Sequence, residues 1–221
     1  MRFERTQTWG FEHAIRGARN PMNSWDKSDS FYIDPGQCLF KIGPNDMALL
    51  QRLIKAGPEH RKFMRQIMVS VDITAPLYWW KEFDTYKVGT TANSTSTMHK
   101  LATTPITIDC FETDDFEEIT FGVGEIQSPD IIIDYCEKLR QKYLETKDKK
   151  YWKELIRWLP ESWLQTRTVT MNYENLLAMC SKGQRRFHKL TEWSDSFIKW
   201  ARLLPYAQEL IFIDELEDKT E

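Results

Sequence analysis

The most regular alternation of apolar and polar residues lies in the segment Phe63–Ile73, FMRQIMVSVDI. From Ile67 to Ile73 every second residue is a β-branched aliphatic, and the residues between them are Met, Ser and Asp. A period of two places alternate side chains on opposite faces of an extended chain, and β-branched residues favour strands. The pattern therefore predicts a strand with one buried face, which ends at Pro76.

Several other segments repeat apolar residues at the spacing of a helix. One such helix is predicted to be N-capped by Asn45 or Asp46 and to end at Gly57. Asn20-Pro21 is predicted to end an earlier helix, because the residue before a proline avoids the α region. Val169–Ala178 is predicted to begin extended and to become helical. The other predicted helices are Glu12–Arg19, Leu77–Tyr86, Pro129–Tyr143, Lys149–Trp158 and Ser196–Leu204.

Three stretches lack this periodicity. Asn23–Gly43 is rich in Ser, Asp, Pro and Gly and is predicted to be a loop. Ile106–Gly124 contains an acidic run with the pair Asp114 and Asp115, and is predicted to be a surface excursion. Gly89–Thr97, GTTANSTST, is crowded with hydroxyl and amide side chains. Because no internal repeat or linker interrupts the chain, we predict a single α+β domain over residues 1–221.

Composition and charge narrow the classes of protein that fit. The formal net charge of −3 and pI near 5.9 argue against a nucleic-acid binder, since phosphate backbones require a concentrated basic face. No run of about 18 apolar residues occurs, and the N-terminus lacks the apolar core of a signal peptide. Cys38, Cys110, Cys136 and Cys180 form no Cys-x-x-Cys pair and suit a reducing compartment. We therefore expect a cytoplasmic protein that binds neither nucleic acid nor membrane.

Some segments carry side chains suited to a small anion. Gly89–Thr97, with Lys87 beside it, offers donors to phosphate or ribose oxygens, although a solvated polar loop has the same composition. Arg202 precedes Pro205 at the end of an apolar helix, where it can bind a phosphate bidentately or cap helix carbonyls. The basic run Arg185–Lys189 suits an anion site or a solvated face. The histidines lack metal-ligand spacing, so no metal site is expected.

Several short motifs follow one another along nearly the whole chain. They are Ala14-Ile-Arg-Gly-Ala-Arg19, Leu53-Ile-Lys-Ala-Gly57, Thr74-Ala-Pro76, the aromatic pair Trp79 and Trp80, Thr166-Arg167 before Met171-Asn172-Tyr-Glu-Asn-Leu-Leu177, and Arg202 before Tyr206-Ala-Gln208. In their order and spacing the chain resembles the flavin-dependent thymidylate synthases, a family that methylates dUMP without a protein nucleophile.

The signature of that family, Arg-His-Arg-x-x-Ser-x-Asn-Glu-x-Ser-x-Arg-Tyr, falls on the hydroxyl-rich segment. Its Arg-His-Arg positions correspond to Thr85, Tyr86 and Lys87, and its first Ser corresponds to Thr90. The remaining correspondences, with one residue inserted, are Asn93-Ser94-Thr95-Ser96 and Met98-His99. Most of the charged signature residues are therefore replaced by neutral ones.

The resemblance implies a fold and a set of site residues. The fold is α+β, with an antiparallel or mixed sheet packed with helices. Arg202 is implied to pair with the dUMP phosphate, and Arg167 to lie near the base or phosphate. The other implied substrate-binding residues are Glu82, Thr95, Ser96 and Gln208. The implied cofactor-binding residues are Lys87, Thr90, Asn93, Arg65 and Asn172.

The resemblance also implies FAD as cofactor, methylenetetrahydrofolate and NADPH as co-substrates, and a homotetramer with sites shared between subunits. Three functions fit these observations: an enzyme of this class, a non-catalytic nucleotide-binding or regulatory protein on the same scaffold, and an interaction protein with Trp-rich faces. The replaced signature favours the second, whereas the Arg202–Gln208 segment and the hydroxyl-rich segment favour the first. We take the enzyme as the working hypothesis.

Overall fold

The computed structural model describes residues 1–34, 39–86, 88–114 and 128–217. The chain divides into two compact units. Unit 1 comprises Met1–Arg2, Ile73–Asp84 and Asn93–Arg167, and unit 2 comprises Phe3–Asp72, Thr85–Ala92 and Thr168–Glu221. The assignment of residues 1–221 to one domain stays a prediction.

The strands form a four-stranded sheet and a separate two-stranded hairpin. In the sheet the order is β1 (Arg2–Trp9), β4 (Met68–Pro76), β6 (Leu164–Asn172) and β5 (Thr91–Ser94). Side-chain hydrogen bonds join Thr74 to Thr166 at 2.7 Å and Thr168 to Asp72 at 2.6 Å. Between these two contacts the residue number decreases by two on β4 and increases by two on β6, so the two strands run antiparallel. Together with the helices, this sheet confirms the predicted α+β class.

Strand β4 has the buried face that its alternation predicts. The apolar residues at every second position from Ile67 to Ile73 are buried, while Met68, Ser70 and Asp72 are partly exposed. The start of the predicted strand is wrong, because Lys62–Gln66 forms a 3-10 helix instead. Adjacent Phe63 and Met64 are both buried there, and the two opposite faces of a strand would not place both in one core.

Unit 1 contains four α-helices within the described residues: α3 (Leu77–Phe83), α4 (Thr97–Lys100), α5 (Ser128–Thr146) and α6 (Lys149–Trp158). Its core includes a cluster of Leu101, Ile106, Phe111, Cys136, Leu139 and Leu155. The predicted surface excursion Ile106–Gly124 is thus wrong at its start, since its first apolar residues pack against α5 and α6. Asp114 is exposed, as expected, while Asp115 and the rest of that excursion lie outside the described residues.

The helices of unit 2 are α1 (Phe11–Arg19), α2 (Pro44–Lys55), α7 (Tyr173–Met179), α8 (Lys182–Phe187), α9 (Ile198–Arg202), α10 (Ala207–Leu210) and α11 (Asp214–Glu217). A π-helix, Glu192–Phe197, leads directly into α9, so the helix predicted near Ser196–Leu204 begins earlier than expected. None of the helices in the described ranges combines the length and the apolar character needed to cross a membrane.

Three strand-forming regions were not predicted from the sequence. Strand β1 and strand β5 have mostly exposed residues, so neither shows the alternation of a half-buried strand. Within the predicted loop Asn23–Gly43, β2 (Phe31–Asp34) and β3 (Leu39–Lys41) form an antiparallel hairpin. Tyr32 and Phe40 pair across it with ring centroids 4.9 Å apart. Cross-strand aromatic pairs stabilise such a hairpin without a buried face, which is why hydrophobic periodicity gave no signal.

The start of α2 differs from the predicted cap at Asn45 or Asp46. Gly43 is the N-cap residue, and the Asp29 carboxylate accepts the backbone N–H groups of the first turn. Asp46 is fully buried and accepts a hydrogen bond from Arg19 Nε at 2.5 Å. The side chain expected to cap the helix therefore forms a buried ion pair instead.

Candidate functional site

A cavity of about 520 Å³ lies in unit 2. Its walls come from the segment around the 3-10 helix Lys62–Gln66, from the turn before β5, and from the start of α7. The residues that line it are Arg61, Arg65, Thr85, Tyr86, Val88, Gly89, Asn172, Glu174, Asn175 and Ala178. Its volume suits a small organic ligand, and the lining combines cations, carboxamides and one aromatic ring.

Asn172 marks the junction between β6 and α7. Its Oδ1 accepts the Asn175 N–H at 3.0 Å, while Asn175 Oδ1 accepts the Asn172 N–H at 3.1 Å. This reciprocal capping box begins the helix and fixes both carboxamides at the cavity wall. Within the described part of the chain, Asn172 Nδ2 makes no hydrogen bond, so the cavity wall offers a donor that a ligand carbonyl can accept.

The turn at Val88 and Gly89 is fastened to this helix start. Asn175 Nδ2 donates to the Val88 carbonyl at 2.6 Å. Gly89 has φ +81°, and a Cβ at that position would lie 2.9 Å from Asn172 Nδ2. The close approach and the left-handed backbone both require glycine, so the first residue of the hydroxyl-rich segment is set against the Asn172 carboxamide.

Two arginines that line the cavity share one carboxylate. Arg61 Nε donates to Glu174 Oε1 at 3.3 Å, and Arg65 donates to the same carboxylate through Nε and, at 3.4 Å, through a terminal nitrogen. Burial raises the pKa of Glu174, but the hydrogen bonds from Arg65 and Arg61 outweigh it and hold the pKa below its ordinary value. The carboxylate is therefore ionised at neutral pH, and the group of three carries a net positive charge.

Arg202 lies in a second arginine cluster of unit 2. Its two terminal nitrogens donate to the Glu215 carboxylate at 2.9 and 2.7 Å, and the guanidinium lies 4.1 Å from the ring centre of Phe212. Gln208 also contacts this group, at 3.5 Å from Arg202. The structure thus brings together Arg202 and Gln208, two of the predicted substrate-binding residues.

The basic run Arg185–Lys189 belongs to the same cluster at its first residue. A terminal nitrogen of Arg185 donates to both oxygens of Asp214 at 3.1 Å and lies 3.2 Å from Glu215. Arg185 is therefore neither a solvated charge nor an open anion site. In this cluster the two guanidinium groups of Arg185 and Arg202 face the two carboxylates of Asp214 and Glu215.

Arg167 is enclosed by other side chains of unit 1. Its Nε donates to Gln165 Oε1 and a terminal nitrogen donates to Asp84 Oδ1, both at 3.0 Å. The guanidinium lies 4.2 Å from the ring centre of Trp80, within the range of a cation–π contact. Gln165 in turn donates to the Thr95 carbonyl at 3.1 Å, which links Arg167 to the predicted nucleotide segment.

The other predicted site residues are divided between the units. Glu82, Asn93 and Ser96 belong to unit 1. Thr90 belongs to unit 2, where its hydroxyl donates to the Tyr86 carbonyl at 3.2 Å. Lys87 lies outside the described residues. The cavity thus contains two of the predicted residues, Arg65 and Asn172, and their roles stay predictions.

Sequence reasoning missed Arg61, Glu174 and Asn175 as cavity residues. Arg61 and Glu174 lie 113 positions apart, so no local pattern joins them. Asn172 and Asn175 both lie in the motif Met171–Leu177, but the sequence gives no indication that both amides face a cavity. Within the described ranges, no group of three His, Cys, Asp or Glu side chains could hold a metal ion.

Solved structures with this fold include nucleotide-methylating enzymes. The flavin-dependent thymidylate synthase ThyX from Helicobacter pylori, solved with FAD and dUMP, matches with TM-score 0.68 and 17% identity over 97% of this chain and 99% of that chain. PolB from Streptomyces cacaoi, a UMP/dUMP methylase solved with 5-Br dUMP, matches with TM-score 0.60 and 12% identity over 96% and 93%. No family model matches the sequence, and no curated protein matches it.

The chain therefore has the flavin-dependent thymidylate synthase fold over nearly its full length. The family resemblance drawn from the motifs is confirmed at the level of the fold, in a divergent sequence.

Proposed function

We propose that this chain binds a flavin and a pyrimidine nucleotide and reductively methylates the pyrimidine, with dUMP as the expected substrate. The observation that supports this most directly is the cavity in unit 2, where carboxamide and guanidinium donors surround a ligand-sized space in this fold. A carbonyl-bearing ring with an attached phosphate complements such a donor set. Methylenetetrahydrofolate as one-carbon donor, NADPH as reductant, a homotetrameric assembly and a cytoplasmic location belong to the same proposal.

The residues present fit a flavin in chemical terms. Asn172 Nδ2 supplies a donor for a ring carbonyl, Tyr86 supplies an aromatic surface, and Arg65 supplies positive charge for a phosphate. When bound, a reduced flavin supplies the hydride that completes the methyl group. The chain's own residues hold the reactants in place and limit the access of water, which is where binding groups lower a barrier.

On this proposal, polar residues outside the cavity contact the nucleotide or the flavin. Arg202, with Gln208, pairs with its phosphate, and Arg167 contacts the base or phosphate. Glu82, Thr95 and Ser96 complete the nucleotide contacts, and Lys87, Thr90 and Asn93 contact the flavin. The support for these roles is the order of the motifs along the chain and the side-chain chemistry of each residue.

Asn172 offers the sharpest test, because one substitution separates its two roles. Asn172→Asp keeps an acceptor for the Asn175 N–H, so the helix cap survives, but it removes the Nδ2 donor. We expect flavin uptake, measured by absorbance after gel filtration, to fall at least tenfold with little change in melting temperature. Asn45→Asp, at an exposed position on α2, is the matched control and should take up flavin like the wild type.

Methyl transfer tests the reaction itself. The purified chain with FAD, NADPH, dUMP and labelled methylenetetrahydrofolate is expected to form labelled dTMP only when all components are present. A protein that neither takes up FAD nor is thermally stabilised by dUMP contradicts the proposal.

A second candidate function is nucleotide binding without catalysis. The observation that favours it is the replacement of the Arg-His-Arg positions by Thr85, Tyr86 and Lys87, which removes most of the signature's charge. Thermal stabilisation by dUMP without any flavin uptake would select this candidate over the enzyme.

A further inference from the structure

The cavity in unit 2 has an unbalanced charge on its wall. Among the described residues that line it, the ionised groups are Arg61, Arg65 and Glu174. Two guanidinium groups facing one carboxylate leave one positive charge uncompensated. Glu59 acts on Arg65 by a weaker Coulombic attraction, and Glu174 is the carboxylate to which both arginines hydrogen-bond. A group with two guanidiniums on one hydrogen-bonded carboxylate attracts an anion more strongly than a one-to-one ion pair does, because part of its positive charge is not neutralised by contact.

The two arginines also keep unused hydrogen-bond donors. Glu174 engages Arg61 through Nε, and it engages Arg65 through Nε and one terminal nitrogen. No other described residue hydrogen-bonds to either guanidinium. Since each guanidinium has five N–H donors, terminal N–H groups of both arginines are available to a further acceptor.

The exposure of the two arginines allows an anionic ligand to reach them from solution, while the less exposed Glu174 holds them in place. The side chain of Arg65 is 56% exposed and that of Arg61 is 25% exposed, whereas Glu174 is only 16% exposed. The shared carboxylate is thus the fixed point of the group, and the guanidiniums are the parts that a ligand reaches. Their planar N–H groups match the geometry of phosphate oxygens.

We infer that Arg61 and Arg65, positioned by Glu174, form a phosphate-binding site for the ligand that occupies this cavity. The inference rests on the proposed function for the identity of the ligand, which carries its phosphate either as a nucleotide or as a flavin. It goes further by giving Arg61 a ligand contact and Glu174 a positioning role, and by placing a phosphate at this wall.

The test compares ligands that differ only in phosphate. Affinities of the full chain are measured calorimetrically for dUMP against deoxyuridine, and for FMN against riboflavin. In the double variant Arg61→Ala/Arg65→Ala, we expect the phosphate-bearing member of one pair to lose about 10- to 100-fold in affinity, the scale of lost charge-assisted hydrogen bonds. The phosphate-free member should be unchanged, which also shows that the cavity is intact.

The affected pair identifies the source of the phosphate. A loss confined to dUMP assigns the site to the nucleotide, and a loss confined to FMN assigns it to the flavin. Arg65→Lys should retain more affinity than Arg65→Ala because it keeps the charge without the planar donors. Arg157→Ala, which removes an exposed arginine of unit 1, is the matched control and should have no effect.

Inorganic pyrophosphate separates failure of this inference from failure of the proposed function. If neither nucleotide nor flavin binds, weaker pyrophosphate binding by the double variant still supports the phosphate site, although the proposed function fails. If FMN or dUMP binds the wild type and both members of each pair lose affinity equally, or neither does, the inference is overturned while the function stands. Absence of any phosphate-dependent binding, pyrophosphate included, also overturns it.

Discussion

The two arginine clusters of unit 2 use the same side chain in opposite ways. Arg185 and Arg202 face two carboxylates, Asp214 and Glu215, so the charges of that cluster balance. Among the described carboxylates, Glu174 alone hydrogen-bonds to Arg61 and Arg65, so their cavity wall is left with a positive charge. The count of carboxylates around a guanidinium, rather than the presence of the guanidinium, therefore decides how readily it accepts an outside anion.

This contrast changes what the predicted role of Arg202 requires. Its terminal nitrogens already bind Glu215 bidentately, in the geometry that a phosphate would use. A nucleotide phosphate must therefore replace Glu215 or share the guanidinium with it. The cavity arginines need no such exchange, because their terminal donors are not all engaged.

The largest expected effect concerns stability and the buried ion pair between Arg19 and Asp46, in which one guanidinium faces one carboxylate. Asp46 accepts Arg19 Nε and the hydroxyls of Ser28 and Ser30, and its pKa lies below the ordinary value because these hydrogen bonds outweigh the effect of burial. Asp46→Ala leaves the Arg19 charge buried and unpaired. We expect the free energy of unfolding, measured by urea denaturation, to fall by about 3–5 kcal/mol.

The matched control for Asp46 is Asp26→Ala. Asp26 is exposed, and its removal should change stability by no more than about 0.5 kcal/mol. If Asp46→Ala loses as little stability as the control, this balanced ion pair does not stabilise the fold. The contrast between balanced arginines that hold the structure and unbalanced arginines that bind a ligand would then fail.

The next effect tests Arg202 itself. If Arg202 holds the nucleotide phosphate, Arg202→Ala weakens dUMP binding by about 1.5–3 kcal/mol, since it removes charge-assisted hydrogen bonds. Stability should change less, because Glu215 still lies 3.2 Å from Arg185. Calorimetric titration with dUMP and deoxyuridine gives the measurement, and an unchanged dUMP affinity would reject the role.

The sequence predicts those elements whose burial follows a regular period. Strand β4 was found because its apolar residues point to one core, and α6 was found with its bounds at Lys149 and Trp158. Strands β1 and β5 were missed because exposed residues carry no such period. The residues at a helix end were also informative, since Asn20-Pro21 marks the end of α1 at Arg19.

The candidate site was less accessible to sequence reasoning than the fold. Family motifs led to Arg65 and Asn172, which do line the cavity. Arg61 and Glu174 have no distinctive local context, and their importance arises only when folding brings distant positions together. Charge balance is likewise a tertiary property, so no local pattern around Arg202 indicates that the Glu215 carboxylate already binds its guanidinium.

A balanced pair in unit 1 extends the comparison to pH. Glu137 accepts hydrogen bonds from Arg140 at 2.6 and 2.7 Å, which lower the pKa of this carboxyl from 4.5 to about 2. Because the folded pKa is the lower one, the pair stabilises the fold fully above about pH 4.5, and this contribution is lost as the pH falls towards 2. We expect a contribution of about 1–2 kcal/mol after screening by solvent.

The variant Glu137→Gln isolates that contribution. Urea denaturation at neutral pH and at about pH 3 should show a smaller acid-induced loss of stability in the variant than in the wild type. Glu145→Gln, at an exposed position on the same helix, should lose stability with acid as the wild type does. Equal acid sensitivity of Glu137→Gln and the wild type would contradict a structural role for this pair.

The smallest and most discriminating effect concerns Glu215. Glu215→Gln removes the competing negative charge from Arg202, so dUMP affinity should rise by about 0.5–1 kcal/mol, the scale of a partly exposed ion pair. Glu154→Gln, in the exposed pair with Arg157, should leave dUMP affinity unchanged. In the Arg202→Ala background Glu215→Gln should have no further effect, because the competition needs both partners. A gain that persists without Arg202 would mean that Glu215 repels the nucleotide phosphate at long range and does not compete for the Arg202 guanidinium. The number of nearby carboxylates would then matter through the overall electrostatic potential of unit 2, and not through direct occupation of one arginine.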